Sequence, residues 1–378
     1  MRKLLFILSA LLAQPFSIGY AQTGTPLKLE METQLSEKTA RLPLRTWMQP
    51  QPGEEIIGPG LVPHVMNTGD HIVELARIFD LGFYELVDAN PDVNPWVPIK
   101  GTRLQVSQSW ILPNPLTVSE KSTKAANKAG RVDNNKHGTL IINLAERRLY
   151  YRNKAGSVAT FPVGIGRAGY ATPKGYGKIV RKQAAPTWYV PQSILDERPE
   201  QEPIVPPGPE NPLGTHALYL SIPGYLIHGT NKPYGIGRRV SHGCIRLYPE
   251  DILWLFDHAY PGDKVMIVEE PVKAGWRDGL LYLEVHPVLE ESMGSVDWRE
   301  LAFQVVNQAL ARYPSQSVQL DWNKVDQMIV KPNGVPQVVG KPVVRPNQTG
   351  LKIDWRLRKQ PDAAKKSTTT EKKAIQAE

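Results

Sequence analysis

Cysteine is almost missing from this sequence: 378 residues hold one, Cys244. A single thiol excludes intrachain disulfides and zinc sites made of clustered cysteines. Two readings stay open, a buried inert side chain or a thiol retained because it reacts. Long apolar runs are lacking too. The run from Leu4 to Ala13 falls short of the ~20 residues a bilayer-spanning helix requires, and no later stretch approaches that length, so no transmembrane segment is predicted. Charge of one sign is scarce as well. Lys and Arg number 45 against 37 Asp and Glu, a net +8 that sits largely in local patches. Nucleic-acid binding has only a basic tail behind it. Proline is the exception, with 34 in the chain, nearly double the usual ~5%. That favours strands, turns and fixed loops over a helical bundle.

The first 21 residues read as a secretory signal peptide. Arg2 and Lys3 precede the apolar run, and Gly19-Tyr20-Ala21 supplies small residues for cleavage before Gln22. Residues 22–60 are a polar, proline-punctuated lead-in. Residues 61–112 read as a compact α+β unit. A short strand is expected at His64-Val65-Met66, and a helix carrying Ile72, Leu75, Ala76 and Phe79, with Asp70 as its N-cap. A second helix runs from Tyr84 to Ala89, stopped at Asn90-Pro91, and Arg103–Val106 closes the unit as a strand. Residues 113–137 read as a flexible basic linker, with five cations and two acids between Ser119 and His137. Residues 138–271 are rich in short strands broken by Gly and Pro, which suggests a β-sandwich or open barrel with one short helix opening at Pro249. Pro271 is read as the end of that domain. Residues 272–356 form a C-terminal extension, with a strand at Leu281–His286 and an amphipathic helix from Trp298 to Tyr313 whose apolar side is Leu301, Val305, Ala309 and Leu310. Residues 357–378 lack aromatics and read as a disordered basic tail.

The stretch that carries chemistry is Ile227-His228-Gly229-Thr230 followed by Ser241-His242-Gly243-Cys244-Ile245-Arg246-Leu247. A nucleophilic thiol needs a base, a partner that orients the base, and donors for the oxyanion. His228 ends a predicted strand, and Cys244 follows in a glycine-flanked turn leading to the helix at Pro249. Such a turn offers backbone N–H groups to an anion.

Two resemblances follow. Asn67-Thr68-Gly69-Asp70, Ala89-Asn90-Pro91 and Gly101-Thr102-Arg103-Leu104 make residues 61–112 resemble a LysM module, which implies binding to peptidoglycan glycan. Trp188 in Ala185–Pro191, His228-Gly229-Thr230 and Ser241–Leu247 resemble the YkuD-type L,D-transpeptidase domain. The order of leader, LysM and catalytic domain is similar to the periplasmic ErfK/YbiS group, which implies a periplasmic location. The resemblance implies that Cys244 attacks the diaminopimelate carbonyl of a tetrapeptide stem, expels the terminal D-Ala and holds the stem as a thioester. His228 would take the thiol proton, with the Gly229 carbonyl orienting its ring. The N–H of Cys244, with that of Gly243, would receive the oxyanion. Ser241, His242, Gly243 and Arg246 are the expected substrate-side residues: His242 holds the loop or contacts substrate, and Arg246 binds a stem carboxylate or pairs internally. An acceptor then resolves the thioester: the C-terminal lysine of an outer-membrane lipoprotein, a second diaminopimelate that closes a 3→3 crosslink, or water, which detaches the stem by hydrolysis. No cofactor or metal is implied.

Two other classes compete with this one. A metal-dependent peptidoglycan hydrolase could draw on His216, His228, His242 and His258, although no HExxH-type spacing occurs. A non-catalytic wall-binding scaffold would keep the glycan affinity and leave the thiol idle.

Overall fold

The computed structural model describes residues 46–97, 99–117, 137–314 and 316–343. The expected leader, most of the linker and the tail lie outside the described residues. The organising element is an eight-stranded sheet. Its spatial order is Ile245–Arg246, Leu226–His228, His216–Leu220, Gly175–Ala184, Lys264–Val268, Thr139–Asn143, Arg148–Arg152 and Val158–Pro162. The two pairs Lys264–Val268 with Thr139–Asn143 and Leu226–His228 with Ile245–Arg246 are parallel. The other pairs are antiparallel. The catalytic domain is thus mainly β, with few helices.

Strands Thr139–Asn143 and Val158–Pro162 are buried at nearly every position because both faces of this part of the sheet are covered. Leu140, Ile142, Leu149, Phe161, Val265 and Ile267 face one core, roofed by Ile252 and Leu255 of the helix Pro249–His258. That helix opens on proline at a position whose missing N–H costs nothing, with Glu250 and Asp251 in its first turn. Ile141, Tyr150 and Val158 face the opposite way, into a second core shared with residues of the 56–116 region.

That region folds as strand Ile56–Val65, helices Ile72–Ile78 and Phe83–Asp88, and strand Arg103–Ile111, the two strands pairing antiparallel. The first strand is far longer than the three residues expected. Its early part holds a register shift where Gly58 sits at φ +88°, and a Cβ there would lie 2.1 Å from the Gln108 carbonyl oxygen. Asp70 is not the helix N-cap. His71 takes that place without a side-chain bond, and the Asp70 carboxylate instead accepts from Asn67 N–H at 2.7 Å, closing the turn before it. Polar ties fix this region to the catalytic domain. Arg77 donates two bonds to Glu250, at 2.9 and 2.7 Å. The fully buried Arg148 donates to Glu85 and to the Asp80 carbonyl while lying over the Trp110 ring. Gly82 and Gly237 approach so closely that a Cβ on Gly237 would stand 2.3 Å from Gly82 Cα.

Pro271 stands between the eight-stranded sheet and a second sheet. Strand Val272–Arg277 begins directly after it and joins Leu280–Val285, Gln337–Pro342 and Val318–Leu320 in a four-stranded antiparallel sheet. Helices Trp298–Ala311 and Trp322–Val330 pack on that sheet, each capped by the aspartate before it. The buried face of the first is Ala302, Val305, Val306 and Ala309, whereas Leu301 and Leu310 are half-buried at its margin. Small residues face the sheet because the helix lies close against it: Trp276 reaches across to the Ala309 carbonyl at 3.0 Å. Among the described residues no helix is long and apolar enough to cross a membrane.

Candidate active site

The alternation of two short strands at the sheet edge builds the site. Ile227, Ile245 and Leu247 point into the core. Their neighbours His228 and Arg246 therefore point the other way, and the parallel register sets these two side by side. Cys244 immediately precedes this strand, across from the Leu226 end of its partner. The register brings His228 and Arg246 to one side of the strand pair, and the Arg246 charge acts on both His228 and the Cys244 thiol.

The turn before the thiol is held from within. Ser241 Oγ donates to the Cys244 carbonyl at 2.6 Å and accepts the Gly243 N–H at 3.0 Å. The Gly243 N–H is therefore engaged inside the turn rather than offered to a ligand. Gly243 stands at φ +107°, and a Cβ there would lie 2.7 Å from the Tyr225 ring. Its carbonyl accepts from Thr172 Oγ1 at 2.7 Å, and Thr172 in turn receives Gly166 N–H. The thiol points at the Gly224 carbonyl, 3.8 Å away. Among the described residues that carbonyl is its acceptor, and the resting thiol is not hydrogen-bonded to the imidazole.

His228 is buried, with Nδ1 at 2.7 Å from the Gly229 carbonyl oxygen. A carbonyl only accepts, so Nδ1 carries the hydrogen and the lone pair sits on Nε2. Gly229 cannot be larger, since a Cβ would meet Ile252 Cγ2 at 2.9 Å. Burial, reinforced by the Arg246 charge, lowers the His228 pKa to about 3, against the raising effect of the Gly229 and Leu213 carbonyls. Burial also pushes the Cys244 thiol up, opposed by a backbone hydrogen bond from Leu226 and by Arg246. Thiol and imidazole are both neutral at rest, with the Arg246 cation acting on each.

A second cluster lies against the same turn. Strand Ile165–Gly166 pairs in parallel with Arg239–Ser241, and Arg167 N–H donates to the Ser241 carbonyl at 2.9 Å. From there Arg167 reaches the Glu197 carboxylate at 2.6 and 2.9 Å. His242 Nε2 lies 3.1 Å from the same carboxylate, and Tyr170 donates its hydroxyl to it. Glu197 ends the short helix Gln192–Glu197, part of an excursion from 185 to 214 that also carries the ribbon of Trp188–Tyr189 with Ile204–Val205. Asn211 ties that excursion together through the carbonyls of Pro186, Val205 and Pro206. Sequence reading missed Arg167, Tyr170, Thr172, Glu197 and Asn211. They come from separate loops, and no local pattern announces them.

The histidines weighed as metal ligands do not converge. His258 stacks on Trp254 with ring centroids 3.9 Å apart, and His216 lies edge-on to Phe256. Among the described residues, Glu146, Glu284 and His286 are close enough to share an ion, but Lys273 Nζ already stands among them, 2.7 Å from Glu146 and 2.9 Å from Glu284. A cleft of about 690 Å³ lined by Met48, Gln49, Trp110 and Arg277 holds none of the motif residues, so volume does not mark the chemistry in this fold.

Comparison with known proteins bears on this arrangement. The family model of the YkuD L,D-transpeptidase catalytic domain matches residues 137–267. The probable L,D-transpeptidase YbiS of Escherichia coli K12 is 34% identical over 299 residues, covering 77% of this chain and 90% of its own length. The probable L,D-transpeptidase ErfK/SrfK of the same organism is 34% identical over 300 residues, covering 77% and 89%. A solved L,D-transpeptidase from Mycobacterium smegmatis is 20% identical, covers 35% of this chain and 58% of that chain, and superposes with a TM-score of 0.29. Similarity of this degree, running through most of the chain and nine-tenths of a relative's length, places the chain in one family: it belongs to the L,D-transpeptidases of YkuD type.

Proposed function

We propose that this L,D-transpeptidase works on peptidoglycan in the periplasm, joining tetrapeptide stems to an amine through a thioester on Cys244. The observation that supports the reading is the Arg246 charge acting on both the Cys244 thiol and the His228 imidazole, with His228 paired to Arg246 in the strand register. Cys244 Sγ attacks the diaminopimelate carbonyl. Because thiol and imidazole both start neutral, His228 Nε2 takes the proton as the sulfur–carbon bond forms, rather than resting beside a preformed thiolate. Gly229 keeps the ring in the tautomer that this requires. The terminal D-Ala leaves with the proton returned by His228.

The Cys244 N–H receives the oxyanion. Gly243 N–H is spent on Ser241, whose role is to hold the turn. Arg246 acts on the thiol as a nearby cation that favours the thiolate and disfavours the imidazolium. An amine, from a lipoprotein C-terminal lysine or a second diaminopimelate, then attacks the thioester with His228 as its base. The 61–112 region acts as a LysM glycan-binding unit that keeps the enzyme on its polymer, and residues 1–21 direct export. The test is muropeptide analysis of tetrapeptide-bearing sacculi incubated with the enzyme, with and without a lipoprotein C-terminal peptide. Lysine-linked muropeptides, 3→3 dimers or both are expected. Unchanged sacculi in both arms contradict the reading.

A further inference from the structure

We infer that Arg167, Tyr170 and His242 form a binding site for a carboxylate of the stem peptide, and that Glu197 occupies it in the resting enzyme as an internal stand-in. The inference rests on the transpeptidase reading and extends it to substrate recognition. Side chains from three positions converge on one carboxylate, Arg167 and Tyr170 as donors and His242 through an Nε2 that lies 3.1 Å from both the carboxylate and the Arg167 guanidinium. Arg167 contacts both of its oxygens, His242 Nε2 contacts one at 3.1 Å, and Tyr170 donates to the other. These contacts hold Glu197 below the ordinary carboxylate range, through the hydrogen bonds of Tyr170 and His242 and the charge of Arg167.

The two sides of this contact are built differently. The donors belong to the frame that holds the nucleophile. Arg167 is bonded through its backbone to Ser241, and the turn it opens is closed by Tyr170 N–H on the Arg167 carbonyl, with Gly169 at φ +80°. Thr172, two residues further on, grips Gly243. His242 is two positions from Cys244. The acceptor belongs to a different segment, the 185–214 excursion, and sits at the end of a six-residue helix. Arg167 and Glu197 are both well exposed, and exposed ion pairs are weak. A substrate carboxylate can therefore replace Glu197 at little net cost, since the same donors are satisfied before and after. A tetrapeptide stem carries carboxylates close to its scissile bond, on the departing residue and on the diaminopimelate side chain. Held by this cradle, either one would fix the stem beside Cys244.

The experiment compares three stems: the free acid, one with a C-terminal carboxamide, and one with the diaminopimelate side-chain carboxamide. Release of the terminal residue is followed in the wild type and in Arg167→Gln, Glu197→Gln and Tyr170→Phe. One carboxamide is expected to lower wild-type kcat/KM by ~10-fold or more, the scale of a lost charge-assisted hydrogen bond, and so to name the carboxylate bound. Arg167→Gln should raise KM for the acid and reduce the acid-to-amide ratio to near unity, with Tyr170→Phe reducing it in part. Glu197→Gln should lower KM for the acid more than for the amide. Equal handling of all three stems by the wild type, or a ratio unaffected by Arg167→Gln, overturns the inference while the transpeptidase reading stands. A wild type inert on every stem overturns both.

Discussion

Two clusters, each joining a cation, carboxylate, histidine and tyrosine, sit in this molecule under opposite conditions. One joins Glu146, Lys273, Glu284, His286 and Tyr150, all buried. The other joins Arg167, Tyr170, Glu197 and His242 near the surface, against the turn that carries Cys244. In the first, Lys273 donates to Glu146 and to the Ile111 carbonyl, both at 2.7 Å, and Glu284 accepts from Ile111 N–H at 2.8 Å. A strand of the 56–116 region, the catalytic domain and the C-terminal sheet all meet at that ammonium. Burial alone would raise the Glu284 pKa, yet Lys273 and His286 bring it below the ordinary value. Charges so deep are costly to separate, so this cluster fastens. The surface cluster is solvated and easily exchanged, so it suits a contact that substrate must break. Burial, not composition, separates a fastener from a replaceable contact.

Removing the ammonium should break the comparison most forcefully. Lys273→Met leaves two buried carboxylates without their cation, and a loss of ~3–5 kcal/mol is expected in urea unfolding. Acid should produce the next effect. His228 is buried neutral with a pKa of about 3, below its ordinary 6.5, so the unfolded chain binds that proton first. Its contribution to stability is complete above pH 6.5 and is lost as pH falls from there towards 3. The lowered Glu284 adds a second loss at lower pH, below its ordinary 4.5. Melting temperature followed from pH 8 to 4 should fall below about 6.5, and His228→Gln should flatten that first decline. The smallest effect belongs to the surface cluster. Glu197→Gln should leave the melting temperature unchanged, while exposing the 185–214 excursion to faster limited proteolysis; a large drop in stability would mean that this cluster is a fastener too.

The contrast also marks what the sequence could disclose. Residues 241–247 are contiguous, so the motif was legible as a unit, whereas the parallel register that sets Arg246 beside His228 appears only in the fold. The helix at Pro249 was legible from proline and acids at its start. Arg167 and Glu197 were not, because a parallel pairing of a two-residue with a three-residue strand and a looped excursion bring them to His242 from 75 and 45 positions away. Strand Val272–Arg277 went unread for a related reason: its buried lysine breaks the apolar pattern, and only the folded chain supplies the two carboxylates that neutralise it. Asp70 looked like a helix cap, but a backbone N–H three residues earlier was its nearer partner.

Intact-protein mass measured during turnover of a tetrapeptide stem reads the acyl-enzyme directly. An adduct equal to the stem without its terminal residue is expected, mapped to Cys244, with neither adduct nor terminal-residue release in Cys244→Ala. Continued release of that residue by Cys244→Ala would contradict a thioester route.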